Sequence, residues 1–290
     1  MANIAQWVAG ARPRTLPAAF APVFAGAAVA AFYGVQNWLI VALCLAVALM
    51  LQIGTNYAND YSDGIRGTDD YRIGPVRLVG SGAVKPKPVK IAALVSFGLA
   101  AVAGLAVVIL TQHWWLIALG LASIAAGWYY TGGKRPYGYV GLGELAVFIF
   151  FGLVAVGGTT YVLLGWVPIE GWLAAVVIGA LACSLLVANN LRDVDTDIKA
   201  GKRTLATRLG EHRTRSFFLL LYSVAFSIIA YLGYRMTPNV LWAMTGAVPA
   251  VLAGIRVARG AIGRNLIPVL QWASMSELLV GIGMLLGVLL

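Results

Sequence analysis

The sequence predicts an all-α polytopic membrane protein, a bundle of nine transmembrane helices, and three observations support that prediction. Sixty per cent of the 290 residues are hydrophobic and only 11% are charged, whereas a soluble domain carries about 25% charged residues. Apolar runs close to the length that a membrane-spanning helix needs recur along the whole chain. Backbone groups in lipid must be bonded within their own segment, so these runs form helices. Soluble, disordered and fibrous classes of protein are excluded on the same grounds.

Nine apolar runs define the predicted helices, and we expect one domain over residues 1–290. The runs are 16–34, 37–57, 88–111, 114–130, 141–164, 171–190, 215–233, 238–255 and 266–290. Gly and Ala are frequent in them, and such small residues let neighbouring helix backbones approach closely. Cys44 and Cys183 both lie in apolar runs, so no disulfide framework is predicted.

The distribution of positive charge predicts the orientation. With nine spans, 20 of the 21 Lys and Arg residues lie on the side of the N-terminus, and only Arg235 lies opposite. Loops rich in Lys and Arg face the cytoplasm, so a cytoplasmic N-terminus is predicted. The net charge of +10 is explained by membrane orientation, and nucleic acid is not expected as a partner.

Two acidic clusters on the predicted cytoplasmic side give the strongest indication of function. Eight of the 11 Asp and Glu residues lie in the loops after the second and sixth spans. The rule that sets orientation does not require them there, because acidic residues contribute little to it. The two loops are four helices apart, which predicts two four-helix halves and a ninth helix.

The first cluster is NYANDYSDGIRGTDD, residues 56–70. If the second span continues as a helix, Asn56, Asp60 and Asp63 fall at positions i, i+4 and i+7 and share one face. Asp69 and Asp70 follow beyond that face, and for them solvated loop charge is an equal alternative.

The second cluster is NNLRDVDTDIKAGKRT, residues 189–204. Asn189, Asp193 and Asp197 fall at i, i+4 and i+8, again on one predicted helix face, and Asp195 lies off it. Oxygen ligands of this kind suit Mg²⁺, which binds one or two carboxylates together with substrate phosphates. The clusters therefore predict a diphosphate bridged by Mg²⁺. The alternative is solvated loop charge, and the recurrence of the pattern argues against it.

Basic residues near the two clusters are candidates for binding the remaining diphosphate oxygens. The alternative is that they serve orientation and bind anionic lipid. The candidates are Arg72, Arg77, Lys134, Lys202 and Arg203.

A third polar segment, GWYYTGGKRPYGYVGLGE, covers residues 127–144. Tyr130 and Lys134 lie four residues apart at the end of the fourth span. Glu144 lies at the start of the fifth span. It is interpreted either as a functional group at membrane depth or as a charge that stabilises a helix N-terminus. Glu277 in the ninth span receives no role. Three aromatic residues are interpreted as an interfacial belt: Trp128, Tyr137 and Tyr139.

On these segments the sequence resembles the UbiA-type intramembrane aromatic prenyltransferases. The matching blocks are NYANDYSDGIRGTDD followed by GPVRLVGSG, YTGGKRPYGYVGLGE, and NNLRDVDTDIKAGKRTLATRLG. The resemblance covers essentially the whole chain. Within the superfamily, the blocks look like those of the 1,4-dihydroxy-2-naphthoate polyprenyltransferases of menaquinone synthesis.

The resemblance implies a Mg²⁺-dependent transferase in a bacterial plasma membrane. It implies transfer of a polyprenyl group from polyprenyl diphosphate to 1,4-dihydroxy-2-naphthoate, with loss of CO₂ and diphosphate, to give demethylmenaquinol. Tyr130 and Lys134 match the family's Tyr-x-x-x-Lys element, and Arg12 or Arg14 in RPRTL would bind the acceptor carboxylate. The family often has a further Asp where this chain has Gly67. The implied metal ligands are Asn56, Asp60, Asp63, Asp193 and Asp197, with Asn56 and Asn189 also among the substrate contacts.

Three alternatives stay open at this point. One is another UbiA-type aromatic prenyltransferase. A second is a CDP-alcohol phosphatidyltransferase, whose pattern is D-G-x-x-A-R followed by spaced Asp residues. Here Asp63-Gly64 is followed by Ile65-Arg66-Gly67, and the second Asp cluster lies more than a hundred residues away. The third is an ion-coupled transporter, although transporter sites lie near the bilayer midplane, whereas these clusters lie at one face.

Overall fold

The computed structural model describes residues 3–68 and 77–290. In these residues every regular element is helical. The elements are α1 Ile4–Ala11, α2 Pro17–Phe32, α3 Trp38–Arg66, α4 Pro86–Thr111, α5 Leu116–Tyr129, α6 Gly143–Leu164, α7 Ile169–Arg192, α8 Val194–Lys199, α9 Leu205–Arg235, α10 Pro238–Ala258 and α11 Gly263–Leu289. Each predicted span thus contains a helix, and the all-α prediction is confirmed for the described chain.

The predicted count of nine spans is not confirmed. Seven described helices are long and apolar enough to cross a membrane, and α1 with α2 would make an eighth if the bent pair is one span. Helix α5 has only 14 residues, about 21 Å at 1.5 Å per residue, and falls short of a hydrocarbon core of about 30 Å. It is shorter than its apolar run because Trp114 and Trp115 form a turn. The chain is nonetheless a multi-pass membrane protein.

The N-terminal segment bends sharply between α1 and α2. Arg12 ends α1 with a left-handed backbone, φ 55°, and the helical segments on either side of the break differ in direction by 46°. The bend lies against α3, where the Asn56 amide donates to the Ala11 carbonyl at 2.9 Å and to the Thr15 hydroxyl at 3.3 Å. The residues that follow Arg12 are therefore held beside the polar end of α3.

Helix α7 lies at the centre of the bundle and brings the second acidic cluster to its end. It packs against α6, α9 and α11, and Ile178 and Leu181 are fully buried. A Cβ atom added to Gly152 of α6 would lie only 2.9 Å from the Cα of Gly179 in α7. Small residues thus allow the close helix contacts that the sequence predicts.

The packing does not follow the predicted division into two four-helix halves. Helix α2 packs mainly on α11 and contacts α7, so the largest hydrophobic core joins α2 to the C-terminal helices. Helices α3, α4 and α5 form a smaller group, whose core includes Tyr57, Leu78 and Phe97. The two-half arrangement is therefore not confirmed.

An ion pair ties three helices together at the far end of α7 from the acidic cluster. The Arg235 guanidinium lies 2.7 Å from Oε1 of Glu170, and the Tyr33 hydroxyl donates to Oε2 at 2.9 Å. Only 4% of the Glu170 side chain is exposed. Since these residues stand at the ends of α9, α7 and α2, the contact explains how the lone cation predicted on this side is accommodated.

We expect Glu170→Gln to lower the Tm of the purified protein by about 2–4 °C, because the amide keeps the shape but removes the counter-ion of Arg235. Glu211→Gln is the matched control. Glu211 pairs with Arg215 one turn away, its side chain is 50% exposed, and exposed pairs contribute little. Differential scanning fluorimetry in detergent measures both variants, and equal shifts would contradict the assignment.

Candidate functional site

Both acidic clusters line one cavity of about 730 Å³. The cavity lies between the C-terminal ends of α3 and α7, so two segments more than a hundred residues apart in sequence share one site. The Asn and Asp residues of the two clusters in its wall are Asn56, Asn59, Asp60, Asp63, Asn189, Asn190, Asp193 and Asp197.

Helix α3 continues unbroken to Arg66, as the first cluster requires, but its polar side chains have different partners. Oδ1 of Asp63 accepts a hydrogen bond from the Tyr139 hydroxyl at 2.6 Å, and Oδ2 lies 3.5 Å from Nη2 of Arg77. The two carboxylate oxygens of Asp60 accept the backbone N–H groups of Leu78 and Val79 at 2.8 and 3.0 Å. Asn56 is directed to the N-terminal bend. Asp63 thus contacts side chains from two other segments, Tyr139 and Arg77.

The second cluster is not one continuous helix face. Helix α7 ends at Arg192, and Asp193 has non-helical backbone angles before α8 begins. The Arg192 guanidinium donates to both oxygens of Asp193, at 2.7 and 2.5 Å, and to Oδ1 of Asn189 at 2.9 Å. Lys202 lies 4.0 Å from Asp197. The chain changes direction at Asp193, so Asn189, Asp193 and Asp197 do not share a helix face as their i, i+4, i+8 spacing predicts. All three nevertheless line the cavity.

Tyr139 connects the two clusters, so its interpretation as a belt residue is wrong. Its hydroxyl donates to Asp63, while Nζ of Lys202 lies 4.5 Å from its ring centroid and its carbonyl accepts the Arg203 N–H at 2.8 Å. Burial and the neighbouring Asp63 carboxylate raise the pKa of Tyr139. The hydroxyl therefore stays protonated at neutral pH and remains a donor.

The predicted pair Tyr130 and Lys134 is separated in the structure. Tyr130 is in the cavity wall, whereas Lys134 is exposed and is not among the lining residues. Helix α5 ends at Tyr129, and Gly133 has φ +77°, so the chain turns away before Lys134. The Arg66 guanidinium donates to the carbonyls of Thr131 and Gly133 and fixes this turn.

Glu144 is buried near the start of α6. Its Oε1 accepts a hydrogen bond from the Asn190 side chain at 2.9 Å, and Asn190 lines the cavity. Glu144 lies in the first turn of α6, as the helix N-terminus interpretation requires, and through Asn190 it also supports the cavity wall, a role that neither interpretation stated.

The cavity has further polar residues beyond the two clusters, and it has an apolar wall. Gln52 lies one turn before Asn56 and two or three turns before the Asp residues, so about 12 Å of helix separates it from Asp60. Arg12 and Arg14 from the N-terminal bend and Gln271 of α11 also line the cavity. The apolar wall comes from Val147 and Phe151 of α6 and from Leu185 and Leu186 of α7. Phe151 belongs to a π-helical stretch, Phe148–Val156, a local feature that is frequent at functional sites.

Among the residues that the structure describes, two of the basic residues predicted near the acidic clusters lie in the cavity wall. Arg77 and Lys202 line the cavity, and Arg203 reaches it only through its backbone contact with Tyr139. Asp195 is exposed, which favours solvated charge. Asp69, Asp70 and Arg72 lie outside the described residues.

Asn59 is a cavity residue that the sequence analysis missed. Its Oδ1 accepts the Thr131 hydroxyl at 2.7 Å, and its amide lines the cavity beside Asp63. The available signal was spacing, since Asn59 and Asp63 are four residues apart, as are Asn189 and Asp193. Arg192 and Tyr139 were missed as well, and no local pattern identifies them.

The donor set of the cavity fits Mg²⁺. In residues 3–68 and 77–290, no three Asp, Glu, His or Cys side chains converge on one point. Mg²⁺ does not need such convergence, because it keeps several waters and binds one or two carboxylates with substrate phosphates. Asp63, Asp193 and Asp197, with the amide oxygens of Asn59 and Asn189, are hard oxygen donors around one space.

The fold and this cavity define a multi-pass helical membrane enzyme whose site is built from two Asp-bearing helix ends. Residues 19–264 match the UbiA prenyltransferase family. The chain belongs to that family, which confirms the resemblance seen in the sequence, and it is a prenyltransferase.

Two curated relatives cover nearly the whole chain. A 1,4-dihydroxy-2-naphthoate octaprenyltransferase of Mycobacterium tuberculosis is 54% identical over 93% of this chain and 92% of its own. A protein of the same name from Haemophilus influenzae is 38% identical over 99% of this chain and 97% of its own.

Two solved structures share the fold. A UbiA homologue from Aeropyrum pernix matches with a TM-score of 0.73 and 16% identity, over 93% of this chain and 97% of its own. A UbiA homologue from Archaeoglobus fulgidus, bound to DMAPP and Mg²⁺, matches with a TM-score of 0.65 and 15% identity, over 97% and 99% of the two chains.

We expect Tyr139→Phe to lower kcat/KM for prenyl transfer about tenfold or more, since a hydrogen bond to a charged group contributes about 1.5–3 kcal/mol. Tyr137→Phe is the matched control, because the Tyr137 hydroxyl donates only to the Ala126 carbonyl. Steady-state transfer kinetics compare the two variants. Normal kinetics in Tyr139→Phe would show that the Tyr139–Asp63 contact has no part in turnover.

Proposed function

We propose that the chain transfers a polyprenyl group from polyprenyl diphosphate to 1,4-dihydroxy-2-naphthoate, in a Mg²⁺-dependent step of menaquinone biosynthesis. The observation that carries the proposal is the single cavity lined by both acidic clusters, with cations and an apolar wall beside them. The identity of the acceptor is supported by the names of the curated relatives. The products are demethylmenaquinol, CO₂ and diphosphate.

Residues of the two clusters would hold the metal. Asp63, Asp193 and Asp197 supply carboxylates, and Asn59 and Asn189 supply amide oxygens. Bound Mg²⁺ would neutralise the charge that develops on the departing diphosphate. Asp60 and Asn56 belong to the predicted ligand set, but their described hydrogen bonds go to the 78–79 backbone and to the N-terminal bend.

Cations beside the carboxylates would bind the diphosphate oxygens. Arg77 faces Asp63, Arg192 faces Asp193 and Lys202 faces Asp197. Each would bind phosphate oxygens if its carboxylate partner held the metal, since phosphate oxygens are strong acceptors for Arg and Lys. Tyr130 lines the same cavity and stays a predicted residue of the site. Lys134 and Arg203 stay predicted contacts of the diphosphate, although their side chains are not among the residues that line the cavity, and Arg72 lies outside the described residues.

The reaction follows from these charges. The allylic C–O bond breaks with its electron pair going to diphosphate, and the resulting carbocation is attacked by the ring carbon that bears the carboxylate. That carbon then loses CO₂, whose bonding electrons restore the aromatic ring. The apolar wall from Val147, Phe151, Leu185 and Leu186 keeps water from the cation and accepts the prenyl tail.

The same charge distribution supports an orientation and a location. Positively charged residues flank the ends of the helices that bear the acidic clusters, which is the pattern of a cytoplasmic face. We infer that the cavity opens at the cytoplasmic side of a bacterial plasma membrane, and that residues 1–290 act as one domain.

The proposal is tested with purified protein, Mg²⁺ and a panel of prenyl diphosphates, with products identified by mass. We expect 1,4-dihydroxy-2-naphthoate to give a prenylated product that has lost CO₂, with diphosphate released in equal amount. EDTA should abolish the reaction and added Mg²⁺ restore it. Prenylation of 4-hydroxybenzoate with its carboxylate retained, and none of the naphthoate, would indicate another aromatic prenyltransferase. Consumption of a CDP-alcohol, or cation uptake into vesicles without transfer, would overturn the class.

We expect Arg12→Gln to raise the KM for the naphthoate about 10- to 100-fold, because a charge-assisted hydrogen bond to the acceptor carboxylate is lost. The kcat should change little, since that carboxylate is bound before the C–O bond breaks. Arg14→Gln tests the neighbouring cation in the same way. The control is Arg213→Gln, an exposed residue of α9 outside the cavity. A normal KM in both variants would remove this segment from the acceptor site.

A further inference from the structure

The Asp60 carboxylate is buried, and both of its oxygens accept hydrogen bonds from the protein backbone. It is 1% exposed, and its two carboxylate oxygens accept adjacent backbone N–H groups, Leu78 at 2.8 Å and Val79 at 3.0 Å. A carboxylate that accepts two consecutive backbone donors fixes both the position and the direction of that backbone.

The backbone that Asp60 holds is a compact turn over residues 77–84. The Ser81 N–H donates to the Arg77 carbonyl at 3.1 Å, and the Val84 N–H to the Leu78 carbonyl at 2.9 Å. Leu78 is buried, and Gly64 of α3 has no side chain where Val79 approaches it. The turn therefore rests on α3 through packing as well as through Asp60.

Arg77 begins this turn and carries its charge back to α3. Its side chain is 9% exposed, and Nη2 lies 3.5 Å from Oδ2 of Asp63. One helix thus contacts the same short segment twice, because Asp60 holds the backbone after Arg77 while Asp63, one turn further on, meets its guanidinium.

We propose that Asp60 is a positioning residue: its carboxylate fixes the Arg77–Val79 backbone so that the Arg77 guanidinium lies beside Asp63, where the prenyl diphosphate binds. It is not a metal ligand, in contrast to the assignment that the sequence resemblance implies. The inference rests on the proposed function for the identity of the diphosphate. It assigns different tasks to two Asp residues that are one helical turn apart.

Two measurements that do not depend on enzyme activity distinguish a positioning role of Asp60 from a role as a metal ligand. Mn²⁺ binding followed by electron paramagnetic resonance reports the metal, and trypsin cleavage at the Arg77–Leu78 bond, identified by mass spectrometry, reports the turn. Asp60→Asn keeps one acceptor oxygen but turns an amide N–H₂ toward the second backbone donor. We expect Mn²⁺ affinity within about twofold of the unmodified protein and faster cleavage at Arg77, since one of two charge-assisted hydrogen bonds is lost. Asp63→Asn should instead weaken Mn²⁺ binding about tenfold or more.

Binding of an unreactive analogue, geranyl thiolodiphosphate, tests whether Asp60 acts through Arg77. Asp60→Asn should raise its Kd about tenfold, and the double variant with Arg77→Ala should bind no more weakly than Arg77→Ala alone, because residues that act through one another are not additive. Gly64→Ala is a second route to the same effect, since its methyl group displaces Val79 and leaves every carboxylate in place. It keeps the test decisive if Asp60→Asn folds poorly.

Loss of Mn²⁺ affinity in Asp60→Asn as large as in Asp63→Asn, with unchanged cleavage at Arg77, would overturn the proposal. Additive effects of Asp60→Asn and Arg77→Ala on the analogue would overturn it too. A failure of the proposed acceptor chemistry is distinguishable, since neither the metal titration nor the proteolysis needs a naphthoate.

Discussion

Buried carboxylates at a membrane face must be compensated by other groups, and this constraint organises the site. A charge removed from water is costly unless it is paired and hydrogen-bonded. Asp63 meets Arg77, Asp193 meets Arg192, and Asp197 lies near Lys202. Arg192 adjoins its partner in sequence, whereas Arg77 and Lys202 come 14 and five positions after theirs. These ion pairs thus hold Arg77 and Lys202, in the loops after α3 and α7, beside the ends of those helices.

The consequence for the fold is that these loops belong to the site rather than merely connecting helices. Tyr139 lies in a short helical turn between α5 and α6 and touches both clusters. Arg66 caps the end of α5 from α3. The helices supply an apolar cavity, and the polar end is completed by segments that have no apolar pattern of their own.

The parts of this arrangement that depend on local periodicity could be predicted from the sequence. The helical continuation of α3 through Asp60 and Asp63 and the recurrence of Asn and Asp after α7 follow from residue spacing alone. The break at Asp193 and the turn before Lys134 depend on how the chain leaves a helix, which the spacing of side chains does not report. The contacts of Asp60 with the 78–79 backbone and of Tyr139 with Asp63 join residues 18 and 76 positions apart, and only the tertiary fold brings them together. Helix α5 shows the same limit, since its apolar run is longer than its helix.

The ion pair between Glu170 and Arg235 also determines how the molecule is charged as a whole. The pair adds no net charge at its end of the bundle, and the net charge of +10 then comes from the basic residues that the sequence predicts on the opposite side. On the orientation proposed above, the protein would be polarised across the bilayer, with one nearly neutral surface and one positive surface. A positive surface raises the local concentration of anions by steering them from solution and attracts acidic lipid head groups. Since the prenyl diphosphate and the aromatic carboxylate of the proposed reaction are both anionic, the long-range field would favour their arrival at the same face before any single residue touches them.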